Sequence, residues 1–207
     1  HTMLAGLDYY RSNYDTSRHS GTVAPLGDIY HPVYGAVPVV NTARDNGFVT
    51  RSDGIGLYLQ DQIKIRDQWV VVLGGRQDWT DTDQRSHATG AATRQRDTAT
   101  TGRVGLVYLA PAGLAPYVSV SQSFAPTVGM DRTGNAFKPT KGQQYELGLR
   151  YEPPGSDMLY SAAIYDLTQT NALTADPVDP TYSVQTGKAR SRGLEWEAKA
   201  RLGALNL

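Results

Sequence analysis

Eight stretches of alternating apolar and polar residues, joined by connections that are by turns long and short, constrain this chain more than any other feature. The alternation has period two, the spacing of side chains on opposite faces of a β-strand. Residues 54 to 65 set Ile55, Leu57, Leu59, Ile63 and Ile65 against Gly54, Gly56, Tyr58, Gln60, Gln62 and Lys64, with Asp61 as the one exception on the apolar side. Residues 144 to 151 set Tyr145, Leu147, Leu149 and Tyr151 against Gln144, Glu146, Gly148 and Arg150. The same two-faced pattern recurs at 2 to 10, 69 to 79, 102 to 108, 117 to 124 and 193 to 202. Residues 158 to 168 also read as a strand, but Leu159, Ile164, Tyr165 and Leu167 divide between its faces and leave it unoriented. This predicts eight strands and no helix.

The connections run long (11 to 52), short (66 to 68), long (80 to 100), short (110 to 116), long (125 to 141), short (153 to 157) and long (169 to 188). An antiparallel up-and-down sheet with tight turns at one end and large loops at the other gives this rhythm, which is the asymmetry of outer-membrane barrels. A soluble sandwich of hairpins and Greek keys has no reason to gather its long loops at one end. Composition is consistent with a wall of this kind. The chain has no Cys, a formal net charge of zero and a mean hydropathy of −0.43, which excludes a disulfide scaffold, Cys-ligated zinc and a strongly basic nucleic-acid binder. Its longest apolar run, Trp69 to Leu73, is far too short for a membrane helix. That test does not see barrels, whose lipid-facing and lumen-facing residues average to a polar composition.

Charges stand mid-strand on the polar face: Arg76, Asp78, Arg103, Glu146 and Arg150, with Glu195, Glu197 and Lys199. A sandwich or small filled barrel needs apolar residues there, whereas a wet or plugged lumen accepts charge. A sheet with one face in solvent produces the same pattern and stays open as an alternative. On the other face Trp69 and Trp79 lie ten residues apart. At ~3.3 Å per residue and a tilt of ~40 to 45° that separates them by about 24 Å, close to the ~25 Å apolar band between aromatic girdles. Tyr145, Tyr151 and Trp196 are further girdle candidates.

Catalytic chemistry has little to draw on. Histidine occurs only at His1, His19, His31 and His87, and no nucleophile elbow is present. Asp81, Asp83 and His87 form the best acid or metal-like cluster, but their spacing matches no calcium loop, and no metal site is assigned. Gly54, Gly56, Gly74 and Gly75 lie within strands, not in phosphate loops; they are expected to admit close approach of another backbone, such as an internal plug. The first long loop is rich in aromatic residues, including Tyr30, His31, Tyr34 and Phe48, which together with Tyr182 suit capture of a bulky amphipathic ligand.

Six motifs follow one another in order. They are Gly56-Leu-Tyr-Leu-Gln-Asp61 and Gly74-Gly-Arg-Gln-Asp78; Pro116-Tyr-Val-Ser-Val-Ser-Gln-Ser-Phe124-Ala-Pro126; Lys138-Pro-Thr-Lys-Gly-Gln-Gln-Tyr-Glu-Leu-Gly-Leu-Arg150; Tyr165-Asp-Leu-Thr-Gln-Thr-Asn171 with Asp176-Pro177; and Gln185-Thr-Gly-Lys-Ala-Arg-Ser-Arg-Gly-Leu-Glu195. In that order they resemble the barrel of TonB-dependent ferric-siderophore receptors, particularly the ferrichrome and ferrioxamine branch. The resemblance implies a 22-stranded barrel of the Gram-negative outer membrane, closed around an N-terminal plug. It also implies a ferric siderophore as ligand, iron carried only as that chelate with no other cofactor, energy from the TonB-ExbB-ExbD complex through the plug, lipid around a monomeric barrel, no nucleic acid and no enzymatic step. Residues 1 to 207 would form a central part of the barrel, about a third of a receptor, with plug, TonB box and remaining strands elsewhere. The family has no fixed ligand motif, so the aromatic loop residues rest on composition alone. Two rival readings are a soluble β-sheet ligand-binding module and an outer-membrane hydrolase using Asp81, Asp83 and His87.

Overall fold

A computed structural model describes residues 1–22, 30, 31, 37, 39–180, 182–202, 205 and 206. Eight long strands carry the chain: β1 (Thr2–Thr16), β4 (Phe48–Ile65), β5 (Trp69–Ser86), β6 (Ala92–Tyr108), β7 (Leu114–Ala125), β8 (Thr140–Tyr151), β9 (Met158–Ala175) and β10 (Ser183–Leu202). Three two-residue strands were not legible beforehand. β2 (Gly21–Thr22) pairs with β3 (Val39–Val40), and β11 (Leu205–Asn206) folds back on β10. The main sheet runs in chain order from β1 through β4 to β11, with antiparallel pairing wherever register is given. No helix beyond a single 3₁₀ turn at Pro111–Gly113 occurs among the described residues.

By compactness the chain divides into two units: His1–Tyr9, Ile55–Thr80 and Asp97–Leu207 form one, and Tyr10–Gly54 with Asp81–Arg96 form the other. The first unit holds the short turns. Between β4 and β5, Arg66 and Asp67 both take positive φ (50° and 56°), the left-handed pair of a two-residue hairpin whose twist matches that of the strands it joins. Gln68 N–H closes it on the Ile65 carbonyl at 3.2 Å. The second unit holds the far ends of β1, β4, β5 and β6, together with the connection between β1 and β4.

Of the strand ends beside the short turns, Ile65, Trp69, Tyr108, Tyr151 and Met158 fall where the alternation stops, whereas β7 starts at Leu114, inside the connection expected over 110 to 116. The opposite ends run further than expected, and the long connections shrink accordingly. Strand β5 continues to Ser86 and β6 begins at Ala92, so most of the span 80 to 100 is ladder, not loop. Strand β10 likewise starts at Ser183 and β9 continues to Ala175. An 18-residue strand measures about 59 Å at ~3.3 Å per residue, well beyond what an apolar band of ~25 Å requires even when tilted by ~45°.

Candidate functional site: two faces of one wall

Register settles which side chains share a face. Leu147 stands between Val118 and Ile164, Tyr145 is opposite Val120, and Leu194 and Trp196 are opposite Ile164 and Ala162. This orients β9: Tyr160, Ala162 and Ile164 belong to the apolar face, and Tyr165 to the other, opposite Glu146 and Gly193. Asp61, the exception on the apolar face, accepts a hydrogen bond from the His1 ring at 2.8 Å.

Apolar side chains here are exposed, not collected into a core. Leu194 is 73% and Trp196 70% exposed, with Tyr145, Leu147 and Ile164 also exposed, while the buried apolar residues among those described are Val70, Ala99 and Phe137. Water would not tolerate such a surface, because three buried side chains cannot offset the conformational entropy of ordering these strands. The apolar face therefore needs a nonaqueous partner along its length. Two of its aromatic pairs sit near strand ends. Trp69 packs on Tyr108 with centroids 4.7 Å apart, and Tyr151 stacks on Tyr160 at 6.3 Å, both pairs beside short turns. Trp196 lies one register step away, opposite Ala162 and thus level with Leu149, while Trp79 and Tyr145 stand in the middle of β5 and β8.

The polar face is organised as linked charges. The Arg76 guanidinium donates to both Asp8 oxygens at 2.6 and 2.9 Å and to Asp78 at 2.7 and 2.9 Å, and lies 6.0 Å from the centre of the Tyr58 ring. It occupies the space that a side chain on Gly56 would take. Tyr117 donates to Glu146 at 2.5 Å, Gln144 donates to the other Glu146 oxygen at 2.8 Å, and the Arg150 guanidinium sits 5.9 Å from the Tyr117 ring. Arg103 donates to Gln60. Five of the charges singled out in sequence thus fall into three sets: Arg76 with Asp78, Glu146 with Arg150 through Tyr117, and Arg103 alone with an amide; of the other three, Lys199 pairs with Glu197 at 3.0 Å.

Several partners escaped the sequence reading, namely Asp8, Tyr58, Tyr117 and Tyr165. A usable signal was present in the glycines. Tyr58 covers Gly6, Tyr117 covers Gly148 and Tyr165 covers Gly193, while within the second unit Tyr10 covers Gly54. The expectation that Gly54, Gly56 and Gly74 leave room for another backbone is corrected: side chains of the wall itself fill that room, Tyr10, Arg76 and Arg103 respectively. Gly75 alone of the four has nothing within 4 Å.

The loop candidates separate. Tyr30 and His31 are exposed, Tyr30 at 81%, and Tyr34 lies outside the described residues. Phe48 is the first residue of β4, not a loop residue, and its ring meets Tyr14 of β1 at 6.4 Å. Tyr182 is exposed in a tight connection closed by Asp176, whose carboxylate accepts the Val178 and Asp179 N–H groups and the Arg132 guanidinium. These bonds, those to main-chain amides foremost, hold the Asp176 carboxyl below the ordinary carboxylate range. The candidate hydrolytic cluster does not converge. Asp81 binds Arg94 and Arg96 at 2.6 and 3.0 Å, whereas His87 faces Asp15 and Asp45. Among the described residues no three His, Asp or Glu side chains are placed to hold a metal ion.

The family model for the TonB-dependent receptor-like β-barrel matches residues 1–207, the whole of the chain. The chain belongs to the TonB-dependent receptors. These are β-barrels of the Gram-negative outer membrane, which supplies the nonaqueous partner that the apolar face requires. The family is one of receptors and transporters, not enzymes. Among its relatives, a ferrichrome outer membrane transporter/phage receptor of Escherichia coli is 37% identical across 99% of this chain. The ferrioxamine B receptor of Salmonella typhimurium is 38% identical across 98%. The chain spans 28% of the length of each. Among solved structures, the ferripyoverdine receptor of the Pseudomonas aeruginosa outer membrane superposes with a TM-score of 0.70 at 21% identity, over 97% of this chain and 28% of that one. The alcaligin outer-membrane receptor of Bordetella pertussis gives 0.66 at 19%, over 99% and 38%. Both share the fold.

Proposed function

We propose that the receptor to which this wall belongs binds a ferric siderophore at the cell surface and imports it with TonB-supplied energy. The observation that carries this reading is identity of 37 and 38%, along nearly the whole chain, to receptors named for ferrichrome and ferrioxamine B. Iron is then cargo inside a chelate, and the chain supplies no group that reacts with it. The partners are the chelate, the TonB-ExbB-ExbD complex acting through a plug, and outer-membrane lipid around a barrel that works as a monomer.

Roles divide by face. Trp69, Trp79, Tyr145, Tyr151 and Trp196 anchor the apolar face at the two membrane boundaries, where aromatic rings with polar tips are favoured. Arg76, Asp78, Arg103, Glu146 and Arg150 line the lumen and hydrogen-bond the plug; they do not touch iron. Tyr30, His31, Tyr34 and Tyr182 are the loop residues available to the chelate, and Phe48 supports the loop by packing on Tyr14.

The test is growth and ⁵⁵Fe uptake by a strain lacking its own siderophore receptors and expressing the full-length protein, with ferrichrome or ferrioxamine B as the only iron source. Uptake that requires an intact TonB gene supports the reading. Absence of uptake with either chelate and with a wider siderophore panel refutes it.

A further inference from the structure

His87 follows directly on β5, and both of its ring nitrogens face carboxylate oxygens. Nδ1 lies 2.7 Å from Asp45 Oδ2 and Nε2 lies 3.2 Å from Asp15 Oδ1. A neutral imidazole has one N–H and one lone pair, so it can donate to one carboxylate only and sets its lone pair against the other. The imidazolium donates to Asp45 and sets its positive charge 3.2 Å from Asp15, an ion pair that the neutral ring does not make. The arrangement therefore selects the protonated ring on geometry alone.

The same Asp45 carboxylate gathers the two ends of the connection between β1 and β4. It accepts the Ser17 hydroxyl at 2.5 Å, the Arg18 N–H at 2.8 Å and the Gly47 N–H at 2.8 Å. The His87 main-chain N–H also donates to the Gly47 carbonyl at 3.0 Å. Three stretches of chain, the far end of β1, the residues entering β4 and the turn after β5, thus meet at one imidazole. The connection they close carries Tyr30 and His31.

We propose that His87 is a proton-operated latch on the base of the β1 to β4 connection. Protonated, it joins Asp15 to Asp45 and holds the two ends of the connection together; on losing its proton it releases one carboxylate, and residues 39–47 gain freedom.

The charged groups that face the ring are Asp15 from β1 and Asp45 from the connection. Several others nearby in sequence have partners of their own, while the Arg18, Arg44 and Arg85 guanidiniums are not set against the ring. Arg18 gives Asp45 a main-chain N–H, His19 is turned to the Arg44 carbonyl at 3.1 Å, Arg11 pairs with Asp53, and Asp81 and Asp83 are held by Arg94 and Arg96. The Asp45 hydrogen bond raises the His87 pKa against desolvation, with the charges of Asp45 and Asp15 adding to the rise. The latch is fully formed below the ordinary imidazole value of 6.5 and is lost as pH climbs through the raised one. Asp45, held well below the carboxylate range chiefly by the Ser17 hydroxyl, stays ionised throughout.

The latch concerns the order of a surface segment and stands whether or not the ligand is a siderophore. Its test uses the full-length receptor in detergent, free of other reactive cysteines, with a nitroxide on Thr42→Cys inside the connection. Electron paramagnetic resonance at pH 5.5 and 9.5 should show the mobile fraction rising about two-fold or more with pH. His87→Gln should be mobile at both pH values, and Asp15→Asn should respond little to pH, since His87 can then serve Asp45 alone in either state. An identical spectrum at both pH values overturns the proposal, as does a His87→Gln protein that keeps the wild-type response. Should His87→Gln fail to give a heat-modifiable folded barrel, Asp15→Asn decides: a full pH response in that variant overturns the latch.

Discussion

Arg76 and Asp8 stand 68 positions apart in the chain, yet the guanidinium meets the carboxylate with two parallel hydrogen bonds, 2.6 and 2.9 Å long. Its remaining donors go to Asp78, two residues along the same strand face. This bidentate geometry suits arginine and not lysine, whose ammonium is a point charge. Arg76→Glu would place three carboxylates together and is expected to reduce the yield of folded barrel and its transport more than chelate binding at the surface. Arg76→Lys should fold but with a lower denaturation temperature. Heat-modifiable migration, surface binding and ⁵⁵Fe uptake separate the effects, and unchanged uptake in Arg76→Glu would remove Arg76 from the transport wall.

Gly193 gives a sharper steric prediction. A Cβ there would fall 2.6 Å from the Tyr165 hydroxyl and 2.8 Å from its ring, so the tyrosine would have to leave its place. Gly193→Ala should cost about 1 to 3 kcal/mol, the usual cost of overpacking a filled site. Gly75→Ala, with nothing within 4 Å, should be near neutral. Denaturant midpoints in detergent micelles measure both, and adding Tyr165→Ala to Gly193→Ala should recover part of the loss.

Leu147 lies on the lipid side, flanked by Val118 and Ile164. Leu147→Arg is expected to destabilise the barrel, by at most the about 2 to 4 kcal/mol of an arginine at the bilayer midplane and by less nearer an interface. Ser119→Arg, on the opposite face next to Glu146, should cost much less. Equal losses for the two substitutions, read from unfolding in lipid bilayers, would contradict the assignment of faces.

Acid should act late on the tight connections in the first unit. Asp176 is held below the ordinary carboxylate value first by the Val178 N–H, and hydrogen bonds led by those of Thr133 and Asn135 lower Asp131 to about 2. A depressed carboxyl adds stability that is present above its unfolded pKa of 3.8 and lost as pH falls through the folded one. Hydrogen exchange in residues 126 to 139 and 176 to 182, corrected for intrinsic rates, should therefore be flat from pH 7 to 5 in the full-length receptor. Asp176→Asn should raise exchange at Val178 and Asp179 across that whole range.

The eight strands, their antiparallel order and the faces of seven were legible because alternation is a direct imprint of lipid on one side and a polar interior on the other. Most strand ends beside the short turns were legible for the same reason, since there the apolar pattern stops where the ladder stops; the start of β7 at Leu114 was not, because Pro116 and the Ala-Pro-rich stretch before it read as a turn. The opposite ends were not. From Asp81 to Ser86 and from Ala92 to Thr101 both faces are largely polar, and backbone pairing proceeds without a hydrophobic side to betray it. Strand β9 resisted orientation because Tyr165 and Leu167 are apolar on its polar face, and Tyr165 is there to cover Gly193. Within the wall, Arg76 with Asp78 could be paired from their i, i+2 spacing, whereas Asp8 becomes their partner only through sheet order. The latch was invisible for a similar reason: Asp15, Asp45 and His87 belong to three separate segments.

Charges that neutralise one another at contact distance leave behind small local dipoles, whose fields fade much faster with distance than that of a lone ion. The Arg76 set cancels only in part, since one guanidinium stands between the two carboxylates of Asp8 and Asp78, and the Tyr117 hydroxyl that meets Glu146 is neutral. The polar face therefore keeps a negative charge at Asp8 and Asp78, which draws cationic groups and turns anionic ones away.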